Sequence, residues 1–141
     1  MQRKNFTSKT TWEDLVGYSR AVRVGPFVYV LGTTATTTTN KTGSSIVGIG
    51  DPYAQAVQII KNMETALYNL GASLSDVVRT RIYVTDIKNW EKVGKTHEEF
   101  FREIRPAATL VQVSSLIVPQ ILVEMEADAV ITITESIMDK S

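Results

Sequence analysis

The sequence predicts an α+β domain with the element order β-β-α-β-α-β-β. Three observations carry this. Two stretches space their apolar residues helically and open on helix-start signals. Five β-branched or aromatic runs have strand length. The helical stretches alternate with single strands instead of clustering at one end of the chain.

Taken in order, residues 1–17 have no clear periodicity and read as an N-terminal extension before a single domain, 18–134, and a short tail, 135–141. Tyr18 to Val24 reads as the first strand, Gly25-Pro26 as a turn, and Phe27 to Leu31 as the returning strand of a hairpin. Thr33 to Gly50 is rich in Thr, Ser, Gly and Asn and reads as a long loop. Asp51-Pro52 supplies an N-cap acceptor followed by a proline at the first helical position. Tyr53, Val57, Ile60, Met63, Leu67 and Leu70 form that helix's core stripe, and Gly71 is its left-handed stop. Val77 to Thr85 reads as a strand. Asn89 is expected to cap a second helix with the stripe Trp90, Val93, His97, Phe100 and Ile104. Arg105-Pro106 ends it, because a residue before proline resists the helical region. Thr109 to Val113 and Val123 to Thr134 read as the last strands.

Single helices between strands imply right-handed crossovers that put both helices on one face of the sheet. The other face is then bare, and copies of the same chain are the simplest cover.

Composition narrows the function. The chain has 141 residues, enough for one domain with a real core, and 15 basic against 15 acidic residues. A neutral balance counts against nucleic-acid binding, which draws on a surplus of positive charge. No apolar run nears the ~20 residues of a membrane span. The polar first thirteen residues show no secretory pattern, so the expected location is cytoplasmic. With no cysteine and one histidine, neither thiol chemistry nor a metal site is expected.

Several stretches together resemble the RidA/YjgF family. They are Gly17-Tyr18-Ser19-Arg20-Ala21-Val22, Val28-Tyr29-Val30-Leu31-Gly32-Thr33, the junction from Leu70-Gly71 through Asp76-Val77-Val78-Arg79 to Ile82, the pair Phe100-Phe101, Pro106-Ala107-Ala108-Thr109, and Glu124-Met125-Glu126-Ala127. The resemblance implies a chorismate-mutase-like fold and a homotrimer whose sheets close a central barrel. It also implies small-molecule clefts at the subunit interfaces and no cofactor. In the RidA branch such clefts hydrolyse enamines and imines derived from amino acids. An arginine there clamps the substrate carboxylate, and a glutamate positions water.

Carried over by position, Glu124 is the catalytic candidate, and Tyr18, Gly32, Thr33 and Ala108 are substrate-binding positions. Ala108 stands where the family has its arginine, Thr33 where it has glutamine and Gly94 where it has asparagine. Arg81 and Arg105 are the candidates for a replacement cation, with Arg81 ranked first. The expected function is hydrolysis of a reactive enamine, imine or related nitrogen compound other than the standard 2-imino acids. The alternative is a non-catalytic metabolite-binding protein. Third is the family's older endoribonuclease or translation-inhibitor role, against which the neutral charge counts.

Strand alternation puts Glu124, Glu126 and Asp128 on one face and Arg79 with Arg81 on a neighbouring strand, a pattern a cross-strand charge ladder would also produce. His97 and the stripe of Met63, Leu67 and Leu70 read as core.

Overall fold

The computed structural model describes residues 1–8, 10–39 and 43–132. The expected order is present as β2 (Ala21–Val24), β3 (Phe27–Thr33), α2 (Pro52–Asn69), β6 (Val77–Val84), α3 (Trp90–Phe101), β7 (Ala107–Gln112) and β8 (Val123–Val130). The chain adds four elements that its local pattern conceals: β1 (Arg3–Phe6), α1 (Thr11–Val16), β4 (Thr36–Thr39) and β5 (Gly43–Ile46). Residues 1–17, expected to stand outside the domain, therefore supply a strand, because β1 pairs antiparallel with β2. Its four residues are almost wholly exposed, so no apolar alternation marks it. Part of the expected Thr33–Gly50 loop is a small β4-β5 ribbon. The last two residues of the expected final strand and the tail 135–141 lie outside the described residues.

The main sheet has the order β1-β2-β3-β8-β6-β7. β8 runs antiparallel to both β3 and β6, so those two are parallel to one another across it. β6 and β7 are parallel neighbours joined through α3. Both helices pack on one face. Val28, Val30, Ile82, Val84, Val123, Met125 and Ala127 point into a core completed by Ile59, Ile60, Met63 and Leu67 of α2 and Val93 and Phe101 of α3. Each large aliphatic side chain fully buried there contributes roughly 1.5–3 kcal/mol. The other face is bare: Tyr29 is 50% exposed and Phe27 41%.

The helix ends follow their chemistry. Asp51 accepts from the Ala54 amide, as an N-cap should. At the other end Gly71 turns with φ +81°, and Arg23 donates to the Leu70 carbonyl at 2.7 Å. Asn89 precedes α3 but makes no capping bond; Asp86 does that work one turn earlier, accepting from the Lys88 amide. Trp90, expected in the core stripe, is 55% exposed, and the buried line of α3 is Val93, Thr96 and Phe101. Arg105 takes φ +53°, a left-handed conformation unusual for a side-chain-bearing residue, as the chain leaves the helix for Pro106.

One buried polar residue ties α2 to the segment before β8. Gln55 has no exposed surface. Its amide nitrogen donates to the carbonyls of Gly48 and Gln120, and its oxygen accepts from the Leu122 amide. Gln55→Met keeps the volume but strips the Gln120 carbonyl and the Leu122 amide of their partner, while the Gly48 carbonyl keeps the Asp51 amide. Each such group costs about 1–3 kcal/mol when left unpaired, so the variant should lose roughly 3 kcal/mol of stability. Urea unfolding monitored by circular dichroism checks this; a loss under ~1 kcal/mol would mean that water replaces the amide.

Candidate functional site

The site is built on an irregularity in β3. Val30 lies opposite Ala127, yet Thr33 lies opposite Met125, so β3 carries one extra residue at Leu31-Gly32. Such a β-bulge re-aims side chains. It inverts Thr33, which strict alternation from Phe27, Tyr29 and Leu31 would place on the bare face. The Thr33 side chain is instead fully buried, with its hydroxyl donating to the Leu31 carbonyl at 2.8 Å. The expectation that Thr33 lines the cleft therefore fails for its side chain.

The absence of a side chain at Gly32 leaves room for Glu124. A Cβ there would overlap the Glu124 carboxylate directly. Glu124 lies over that bare backbone, half-buried, and burial raises its pKa above the usual carboxyl value, with the Glu126 charge adding in the same direction. Among the described residues no basic side chain forms an ion pair with it.

Glu124 faces a cleft of about 480 Å³. Leu31 and Gly32 lie along it, Ile117, Val118 and Ile121 form one wall, and Trp12, Val16, Tyr18 and Arg20 form another. The first wall is the segment that Gln55 pins. The second is anchored by Glu13, which is 4% exposed and accepts from the amide and hydroxyl of both Ser8 and Thr10. Burial pushes the Glu13 pKa up, but these four hydrogen bonds together outweigh it, so the net shift is downward and the group is a carboxylate at neutral pH.

Arg81 lies elsewhere. It belongs to a ladder on the bare face, 3.2 Å from Asp128 and 3.6 Å from Glu126. Arg79 reaches the same Asp128 at 3.9 Å, and Tyr83 donates to Glu126 at 2.7 Å. That bond, then burial, raises the Tyr83 pKa. The cross-strand reading of Glu126 and Asp128 is thus the one the geometry supports, and the expectation of Arg81 as a cleft cation is corrected. Its positive charge is already shared between two acids.

Arg105 and Ala108 line a second hollow of about 440 Å³, at the β7 edge, with Gly94, Trp90, His97 and Pro106. His97 stacks on Phe101 with centroids 4.6 Å apart and pairs its Nε2 with the buried Thr80 hydroxyl at 2.9 Å. Burial lowers its pKa, so the ring is neutral at pH 7. The expected site residues therefore divide: Tyr18, Gly32 and Glu124 in one cleft, Arg105 and Ala108 in another. Arg20 went unnoticed in the sequence, although two-residue spacing from Tyr18 would have marked it. No group of three potential metal ligands gathers among the described residues, and none of their helices is long and apolar enough to cross a membrane.

The raised pKa of Glu124 has a sign that melting can read. Between the unfolded carboxyl value, near 4.5, and the higher folded value, the folded chain holds a proton that the unfolded chain has released, so stability falls as pH rises through that window. Glu124→Gln removes this dependence. Its gain in Tm over the parent protein should be larger at pH 8 than at pH 4; an equal difference at both would mean that the Glu124 pKa is not raised, and a smaller one at pH 8 that Glu124 is ion-paired.

The comparisons with known proteins concern the whole chain. A family model described as endoribonuclease L-PSP matches residues 9–131. A RutC family protein of Pyrococcus abyssi is 37% identical over 124 residues, which cover 88% of this chain and 93% of that protein. The 3-aminoacrylate deaminase RutC of Acinetobacter baylyi is 31% identical over 115 residues, 82% of this chain and 87% of that one. The crystal structure of a Mycobacterium tuberculosis member of the YjgF/YER057c/UK114 family superposes with a TM-score of 0.81 at 45% identity, covering 92% of this chain and all of its counterpart. Because the match runs through nearly every element, from the segment that anchors Glu13 to the strand that carries Glu124, the chain belongs to the RidA/YjgF family.

Proposed function

We propose that this protein hydrolyses a reactive enamine or imine, releasing ammonia, in a cleft completed between the subunits of a cytoplasmic homotrimer. The observation that carries the reading is Glu124: a half-buried carboxylate of raised pKa, seated against the bare backbone of Gly32 in an apolar-walled cleft. Such a group is a stronger base than a solvated glutamate.

The reaction balances as C=NH + H2O → C=O + NH3. An enamine first takes a proton on carbon and loses one from nitrogen, becoming the imine. Water, oriented by the Glu124 carboxylate, attacks the C=N carbon, and the π pair moves to nitrogen. Glu124 accepts the proton of the water. Returned to nitrogen, that proton gives a carbinolamine; Glu124 then takes the hydroxyl proton and passes it to the amine, which leaves as ammonia as the carbonyl forms. Tyr18 lies along the same cleft and is placed to contact the substrate.

Assembly follows from the division of the site. The Glu124 cleft and the Arg105-Ala108 hollow lie on different surfaces of one chain. Bringing two different patches together gives a head-to-tail contact, which closes into a ring when the rotation between copies divides a full turn. Three copies, as the family resemblance implies, would bury the bare sheet faces and set Arg105 and Ala108 of one subunit near Glu124 of the next.

Ala108 offers a methyl group where a guanidinium would clamp a carboxylate beside the reacting carbon. The standard 2-imino acids are therefore poor substrates in this reading. The Acinetobacter relative, named for deaminating 3-aminoacrylate, supports C–N hydrolysis as the reaction class. Light scattering should give three times the chain mass at micromolar concentration; a monomer would overturn the assembly. Ammonia release should be detectable with freshly generated 3-aminoacrylate and negligible with 2-aminoacrylate. Glu124→Gln should leave assembly intact while lowering the rate by at least ~100-fold, the low end of what a positioned general base contributes. A Glu124→Gln protein that binds ligand as well as its parent, when neither releases ammonia, would instead make this a metabolite-binding protein.

A further inference from the structure

Arg20 is held in a way that suits binding an anion. Its main chain extends the sheet one residue beyond β2, donating to the Phe6 carbonyl at 2.8 Å and accepting from the Leu31 amide at 3.2 Å. Its backbone is thus paired with the bulge residue next to Gly32. Its side chain lines the Glu124 cleft. It also lines a smaller, hydroxyl-rich hollow with Ser8, Thr10, Thr36, Thr37 and Asn62.

The guanidinium is oriented without being neutralised. Its Nε and Nη2 both donate to the Ser8 hydroxyl, at 3.3 and 3.0 Å. That hydroxyl spends its own proton on Glu13 at 2.5 Å, which leaves its lone pairs for Arg20. Glu13 is saturated by Ser8 and Thr10. Among the described residues no carboxylate comes within 4.0 Å of Arg20. Arg81 and Arg102, by contrast, are each paired with acids. Arg20 therefore combines full charge, a restricted orientation and unused N–H donors at the wall of a cleft, which is what a carboxylate site needs.

We propose that Arg20 holds a substrate carboxylate in the Glu124 cleft, through a site that Ser8 and Glu13 position and that Ala108 does not supply. The inference rests on the reading of this cleft as the reaction site and deepens it by naming the ligand's charge. Ser8 and Glu13 are positioning residues in this scheme.

The test uses the whole protein and two inert probes of equal shape, propionate and propionamide, titrated against Trp12 fluorescence and amide NMR shifts. The parent should prefer the carboxylate. Arg20→Gln should weaken propionate at least ~10-fold and propionamide by less than ~2-fold, as expected when a charge-assisted pair is lost. Ser8→Ala keeps the cation and loosens it, so propionate alone should weaken, by about 3-fold. Glu124→Gln should bind propionate as tightly or more tightly while ammonia release disappears. That pattern separates the two readings: no ammonia release from the parent with a carboxylate preference intact removes the hydrolase reading only. An unchanged propionate affinity in Arg20→Gln overturns the Arg20 site. So does equal weakening of both probes, which would mean that Arg20 only braces the N-terminal segment, or transfer of the carboxylate effect to Arg105→Gln. If Arg20→Gln does not fold, Arg20→Lys reads the same point: a retained but smaller carboxylate preference supports the site, and no preference overturns it.

Discussion

A single extra residue in β3, where Leu31 and Gly32 together face one residue of β8, sets the geometry on which the rest of the candidate site depends. It breaks the two-residue alternation of the strand, turns Thr33 inward to the core, and brings a glycine backbone beneath Glu124. Without a side chain at position 32, the carboxylate can fold back against the sheet and leave water. Desolvation then lifts its pKa. The bulge thus converts one acid of an alternating acidic strand into a group with different chemistry from its neighbours. Glu126 and Asp128, on the same face and two and four residues along, are tied to Tyr83 and Arg81.

The walls of the cleft are held by buried polar groups, not by regular structure. Gln55 pins the segment before β8 through two backbone bonds and holds Gly48 through a third, and Glu13 pins the N-terminal segment through four. A satisfied buried polar group is directional where apolar packing is not, so it fixes a loop's position as well as its burial. Both residues lie far in sequence from Glu124, yet each decides where a cleft wall stands. The Glu13 network reaches the cleft directly, because the hydroxyl it orients is the one that orients Arg20.

The acid-rich bare face and the two separated hollows share one logic. A sheet covered by helices on one side carries its charges on the other, where cross-strand pairs keep them compatible with close approach of a second surface. The hollow at the β7 edge is open and exposes Ala108 beside a strained Arg105. Backbone strain of that kind costs of order 1–3 kcal/mol and persists only where surrounding structure enforces it, here by the helix end on one side and Pro106 on the other.

The elements β2, β3, α2, β6, α3, β7 and β8 were legible in order because each declares itself locally: Asp51-Pro52 begins α2, Gly71 ends it, and β8 alternates without interruption. The family pattern singled out Glu124 and Gly32, which the structure sets against one another. What lay beyond the sequence shares one physical cause, namely that it depends on contacts between residues distant along the chain. The exposed β1 has no apolar period and exists because β2 offers it an edge. Thr33 was misassigned because a bulge is a property of two strands and not of one. Arg81 could be distinguished from Arg20 as a cleft cation only by seeing which one an acid neutralises. The sequence by itself determined the fold class and the acid at its centre; tertiary structure decided which charges are free, because neutralisation depends on distance in space.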